Sequence, residues 1–271
     1  MKRLFTLTLF VSLFTATTAL ALDGAWTAAL HDDRDHLYLH ITTGTHNNNG
    51  MTVSLAAFTS LTPSQINATT MTPVNFEMRR EAGTIAYEGT FRNGKGAGQF
   101  TFTPDRSYID KIRALGLTFD LEGVRHRRRE RTEEDDLFTL ALHDVSTGFI
   151  KSMQAVGYKT TLEKYLTMRI FNITPEYVHE MESLGLANLD EDDIITSKIH
   201  RVTPEFVREI RAEGYREISF DNLVAFRIHR VTKEFIQELR NAGYDHVPAE
   251  KLIEMKIHRI DAKFMKAMNA G

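Results

Sequence analysis

Thr203-Pro204-Glu205-Phe206-Val207-Arg208-Glu209-Ile210-Arg211-Ala212-Glu213-Gly214, followed by Ile228-His229-Arg230-Val231, is the stretch that decides the fold. Its opening returns as Thr174-Pro175-Glu176-Tyr177 and as Thr232-Lys233-Glu234-Phe235. Its glycine returns as Gly185 and Gly243, and its ending as Ile199-His200-Arg201-Val202 and Ile257-His258-Arg259-Ile260. The period is 29 residues, and self-similarity at that spacing is the signature of stacked supersecondary units. Outward from this centre, Phe149 to Gly157 is a further copy with one loop residue fewer, and Tyr108 to Gly116 an earlier one. The second half of that earliest copy, Leu137 to Val145, is displaced by about a dozen inserted residues, at about 118–132. Phe264 begins a final half copy, in which Lys263 and Lys266 outside the apolar set suit an end cap.

Each copy reads as two short helices. Asp105, Ser146, Thr174, Thr203, Thr232 and Asp261 stand where a side-chain oxygen can accept from an unpaired N–H at a helix start. Pro at the next position suits the first helical residue, and Glu after it is favoured by the helix dipole. Tyr177, Val178, Met181 and Leu184 share one helical face. The glycine that follows can end the helix in a left-handed conformation. The second helix is predicted over Ser219 to His229, with Leu223, Val224 and Ile228 in its core. One such pair buries too little to fold alone, so the expected object is a short α-solenoid over 105–271.

His143, His200, His229 and His258 share one register, with Phe171 in the second copy. Neighbouring units of a solenoid stand about 10 Å apart, too far for two imidazoles to share one ion. The row is expected to cap helix C-termini by bonding free carbonyls. Arg201, Arg230 and Arg259 stand beside it. They form either a surface for an acidic partner or one half of an ion-pair row with Glu176, Glu205 and Glu234. These six residues, Arg201, Arg230, Arg259, His200, His229 and His258, are the candidate interaction surface.

The segment 22–104 alternates with period two, as an antiparallel β domain of about six strands does. Leu37, Leu39 and Ile41 oppose His36, Tyr38 and His40; Val53, Leu55 and Ala57 repeat the pattern, as do Val74, Phe76 and Met78. Trp26 is expected to open the first strand, and Asn49-Gly50 and Asn93-Gly94 to make tight turns. Gly94-Lys95-Gly96-Ala97-Gly98 resembles a phosphate loop only in composition, because no helix start follows it. His31, Asp33, Asp35, His36 and His40 are suitable metal ligands. His36 and His40 lie about 13 Å apart along a strand, and a solvated polar face is the expected reading.

Lys2 and Arg3, the apolar run Leu4 to Phe14 and Ala19-Leu20-Ala21 have the pattern of a secretory signal peptide over 1–21. Export of a chain with no cysteine makes folding indifferent to redox conditions. The composition, 42% hydrophobic and 25% charged with 16 Gly and 6 Pro, excludes a disordered or collagen-like chain. A net charge of −3, or −5 once Lys2 and Arg3 are removed, gives no global case for nucleic acid. No later stretch is apolar enough to span a bilayer. The insertion runs from Arg125, Arg127, Arg128, Arg129 and Arg131 into Glu133, Glu134, Asp135 and Asp136. It is expected to be a solvated loop entering an acid-rich helix start.

The repeat built on Thr-Pro-Glu-Phe, Gly-Tyr and Ile-His-Arg-Val resembles one found in exported bacterial proteins. It is also similar to a repeat in extracytoplasmic tails of beta-lactam-sensor-type membrane metallopeptidases. Glu81-Ala82-Gly83-Thr84 and Glu88-Gly89-Thr90-Phe91 resemble the β domain that accompanies it. The peptidase motif is absent: His179-Glu180 has no second His three residues on. Nor does the chain carry Gly-x-Ser-x-Gly, a Walker A sequence or a Cys–His pair. The acid pairs Asp192-Asp193 and Glu133-Glu134 fall at expected helix starts. The expected protein is α+β, with no cofactor and no metal. It is expected to be periplasmic or secreted, and to bind an envelope protein as a non-catalytic module, sensor or adaptor. The alternative is a hydrolase or carbohydrate-binding protein with its site on the β domain or at the domain junction.

Overall fold

The computed structural model describes residues 22–44, 47–121, 132–186 and 188–269. The expected signal peptide and residues 122–131 of the expected insertion lie outside the described residues. The architecture is α+β, in two compact units. One runs to Arg79 and includes Gly83–Pro104; the other holds Arg80–Ala82 and the chain from Asp105 onward. Among the described residues no helix is long and apolar enough to cross a membrane.

The first unit is one antiparallel sheet of β1 (Leu22–Leu30), β2 (His36–Thr43), β3 (Asn47–Ser54), β4 (Thr72–Arg80), β5 (Gly83–Arg92) and β6 (Lys95–Pro104), with a short helix α1 (Pro63–Ile66). Strand order is β3-β2-β1-β6-β5-β4, so two meanders join where β1 pairs with β6. Alternation places Leu37, Leu39, Ile41, Phe76, Met78, Ile85 and Phe102 on the buried face. Trp26 sits in the middle of β1 rather than at its start, fully buried, 5.4 Å from the Phe76 ring and 5.6 Å from Phe91.

Gly89 makes room for that indole, and Gly98 for the close approach of the β5 backbone. Gly98 pairs with Trp26 on one side and with Gly89 on the other. A Cβ on Gly98 would stand 1.9 Å from the Glu88 carbonyl oxygen, and one on Gly89 would stand 2.8 Å from Trp26 Cζ2. The indole Nε1 donates to Gln99 O at 2.9 Å and to Glu88 O at 3.2 Å. The glycine run that resembles a phosphate loop is therefore strand packing plus one turn, Asn93 (φ 49°) and Gly94 (φ 77°).

Two strand-level expectations are corrected. Asn49-Gly50 is not a turn but part of β3, paired with Ile41 and His40. A Cβ on Gly50 would meet the Tyr38 hydroxyl at 2.7 Å, so the glycine lies under the tip of that exposed tyrosine and not in a turn. Leu55 and Ala57 do not continue β3; they form a single 3-10 turn that Ser54 caps by accepting from Ala56 N.

In the second unit helices alternate. α2 (Ser107–Ala114), α4 (Thr147–Ala155), α6 (Pro175–Ser183), α8 (Pro204–Ala212), α10 (Lys233–Asn241) and α12 (Ala262–Asn269) are the first helices of the copies. α3 (Glu133–Leu142), α5 (Leu162–Ile170), α7 (Glu191–Ile199), α9 (Phe220–His229) and α11 (Ala249–Ile257) are the second helices. Ser146, Thr174, Thr203, Thr232 and Asp261 each accept from the N–H three residues on, that of Phe149, Tyr177, Phe206, Phe235 and Phe264. Asp105 departs from the pattern. Its carboxylate accepts from Ser107 N and Oγ, and Arg106 takes the cap position of α2.

The tyrosines show how the earliest copy is spliced. Tyr177 donates to the Val202 carbonyl, 25 residues on. Tyr108 donates to the Val145 carbonyl, 37 residues on. The contact is the same in register, and the dozen extra residues are the insertion. Burial with Glu81 and Asp144 nearby pushes the Tyr108 hydroxyl well above the usual phenol range.

Candidate functional site

The second helices end in a way their sequence conceals. Asp144, Asn172, Arg201, Arg230 and Arg259 all have positive φ, between 51° and 58°. The next residue then bonds back over six: Val145 N to Leu140 O, Ile173 N to Met168 O, Val202 N to Ser197 O, Val231 N to Phe226 O and Ile260 N to Met255 O. This is the Schellman ending, in which glycine normally takes the left-handed position. The first helices do use glycine for it, at Gly157, Gly185, Gly214 and Gly243. The histidines therefore do not cap free carbonyls with their imidazoles. Those carbonyls are taken by backbone N–H groups, including that of His200 to Thr196 O and that of His258 to Glu254 O.

Two residues before the left-handed position stands an isoleucine in four of the copies. Ile170, Ile199, Ile228 and Ile257 are each about half exposed, 48 to 53%. Ile228 is thus not a core residue; Leu223 and Phe226, both fully buried, hold α9 in place. Arg201, Arg230 and Arg259 are exposed beside these isoleucines. Among the described residues none of the three has an ion-pair partner. The expected pairing with Glu176, Glu205 and Glu234 does not form. Glu205 and Glu234 bond first to their own backbone N–H, and Glu176 first to Thr174, which holds all three carboxyls below the usual range.

Beneath the ridge a second row of cations is fully engaged. Arg169, Lys198, Arg227 and Lys256 lie 3.6 to 5.0 Å from the ring centroids of Phe149, Tyr177, Phe206 and Phe235. Arg169 Nε also donates to His143 O at 3.1 Å and Arg227 Nε to Arg201 O at 2.7 Å, tying these two helices to the preceding helix end. Sequence reasoning missed this row because it alternates Arg and Lys, so no single residue type recurs from one copy to the next. Its 29-residue register with the aromatics was the available signal.

The first copy breaks the ridge. Leu142 is buried. Burial, with Arg169 nearby, lowers the His143 pKa to about 4. Asp144 pairs with Arg80 at 3.3 Å and with Arg169 at 3.0 Å.

Elsewhere the candidate chemistry is sparse. Asp33 Oδ2 lies 3.2 Å from His31 Nδ1 and 2.9 Å from His36 Nδ1. The Asp35 N–H, ahead of His36, keeps that carboxyl below its usual range. Among the described residues no group of three or more His, Asp or Glu converges to hold a metal. Asp192 pairs with Lys164 at 3.0 Å and Glu134 with Arg106 at 3.0 Å, both in first helical turns. A cleft of about 400 Å³ on the β unit places Asn75, Glu77, Gln99 and Thr101 around Phe76 and Tyr87. Its Glu77 carboxylate is held by Arg79 at 2.8 Å. No protein-family model, curated protein or solved structure matches this chain.

Proposed function

We propose that this is an exported, non-catalytic protein-interaction module of the cell envelope, serving as a sensor or adaptor. Its helical unit acts as a short α-solenoid whose binding face is the Ile-His-Arg ridge. The observation that carries the reading is the recurrence of a half-exposed isoleucine near an exposed arginine that has no ion pair among the described residues, at Ile199, Ile228 and Ile257. Apolar groups left in water at a regular period, flanked by unspent charge, are what an interface presents before its partner arrives. Arginine is also the cation suited to planar carboxylate recognition. The aromatic–cation contacts and capped helix ends support a rigid support for that face, as a repeat scaffold requires. The alternative, a carbohydrate-binding or hydrolytic protein, would use the cleft on the β unit, where the polar side chains of Asn75, Glu77, Gln99 and Thr101 suit the hydroxyls of a sugar.

A photo-crosslinking residue at position 199, 228 or 257 tests the reading in the envelope of an expressing cell. Adducts to a discrete protein are expected from the ridge and not from position 151, exposed on α4. Adducts equal at ridge and control positions overturn it. Mature protein is expected to begin at Leu22 and to fractionate with envelope contents; N-terminal sequencing that finds Met1 on the stable product removes the exported half.

A further inference from the structure

We infer that the ridge accepts an extended acidic peptide in the polyproline II conformation, with an apolar residue at every third position and a carboxylate beside it. The inference rests on the proposed reading of the ridge as an interface and names what fills it.

Charge comes first. Arginine in a left-handed turn costs about 1 kcal/mol relative to glycine or asparagine, and the same register holds Asp144 and Asn172 without changing the backbone. Arginine at 201, 230 and 259 is therefore not needed to make the turn. Its guanidinium is exposed and without an ion pair among the described residues. A partner that supplies carboxylates satisfies it. A second copy of this chain could do so only by bringing its own Glu205 and Glu234 onto these arginines, a dimer that light scattering detects.

Spacing comes second. The second helices are neighbours: α5 contacts α7, α9 contacts α11, and Arg227 of α9 bonds the Arg201 carbonyl after α7. Packed helices stand about 8–10 Å apart, so successive isoleucines repeat on that scale. A polyproline II chain returns to the same face every three residues, about 9 Å. A β-strand repeats at about 6.6 Å and falls out of step. Polyproline II also leaves its carbonyls free, and arginine, with five N–H donors, can bond a carbonyl and a carboxylate together. A uniform anionic lipid surface fits less well. Exposed Glu205 and Glu234 follow the arginines by four residues, and a membrane would have to tolerate them.

The probe is a fluorescein-labelled fifteen-residue peptide of repeated Leu-Pro-Glu, read by anisotropy against the whole mature chain. A same-composition peptide with the leucines out of register and a helical acidic heptad peptide are the comparisons. Arg201→Asn, Arg230→Asn and Arg259→Asn together borrow the residue that Asn172 already uses in this turn, so the fold is retained and circular dichroism checks it. Lys151→Asn, Arg216→Asn and Lys263→Asn make the same charge change elsewhere. The inference expects saturable binding, at least tenfold weaker for the out-of-register and helical peptides. It also expects at least a tenfold loss in the ridge variant, no change in the control variant, and weakening with salt.

Equal binding of all peptides overturns the inference, as does binding that survives the ridge variant. So does ridge-dependent binding to phosphatidylglycerol vesicles that exceeds peptide binding, or a ridge-dependent dimer in light scattering. If the peptide fails while photo-crosslinking still marks the ridge, the interface stands and only this occupant is wrong.

Discussion

Leu142-His143-Asp144 and Ile228-His229-Arg230 occupy the same register, and both end in a left-handed turn closed by a six-residue hydrogen bond. Their surroundings are opposite. In the first, the leucine is buried, the imidazole is held neutral, and the aspartate is bridged by two arginines. In the second, the isoleucine is 52% exposed and the arginine has no ion pair among the described residues. The backbone solution is thus independent of the use made of the side chains. One copy of the register is packed and ion-paired, while the others leave the same positions exposed.

The largest effect that tests this contrast is at its apolar position. Leu142→Ala should cost about 2–5 kcal/mol in denaturant melts, since it empties a packed site. A neutral result would mean that the first copy is no more structural than the rest.

The histidine should follow. His143 is lowered to about 4 in the fold against about 6.5 unfolded. Between those values the unfolded chain binds the extra proton, so stability falls as pH drops through 6.5 toward 4. Wild type should lose about 2 kcal/mol more than His143→Gln between pH 7.5 and pH 5. Parallel pH curves for the two proteins would remove His143 from the structural side of the comparison.

Asp144→Asn keeps a residue that tolerates the turn but drops the charge facing Arg80 and Arg169. Because the aspartate is partly exposed, the loss should be modest, about 1 kcal/mol, and should shrink in high salt.

Arg230→Gly should move the other way. Relief of the left-handed strain outweighs the added chain entropy, and thermal melts should show about 0.5 kcal/mol of stabilisation. Destabilisation would reveal a structural partner for Arg230. Smallest of all, Ile228→Ala should stay within about 0.5 kcal/mol while losing ridge crosslinks. A cost near that of Leu142→Ala would return Ile228 to the core.

Much of the candidate surface was legible beforehand, because the Ile-His-Arg triplet recurs at a fixed period. What it does at each copy was not. Ile228 stands one helical turn from Val224 and reads as core by periodicity alone; it is exposed although Leu142, ahead of the same left-handed turn, is buried, so what packs across from the position decides and not the turn. The Asp and Asn at 144 and 172 signalled that conformation, since both tolerate it, but the arginines that follow in the same register hid it.

The sequence by itself determined the repeat, its caps and its glycine stops, because these depend on residues within one helical turn of each other. It also determined the alternation of the β strands, because side chains on a strand change face at every step. Tertiary structure alone decided that Asn49-Gly50 lies inside β3 and that Gly89 leaves room for Trp26. It alone left Arg201, Arg230 and Arg259 without ion pairs among the described residues while Arg169 and Arg227 were engaged. The reason is physical: pairing and exposure are set by what packs across from a residue, at separations of 26 or 62 positions in the chain, where local spacing carries no information.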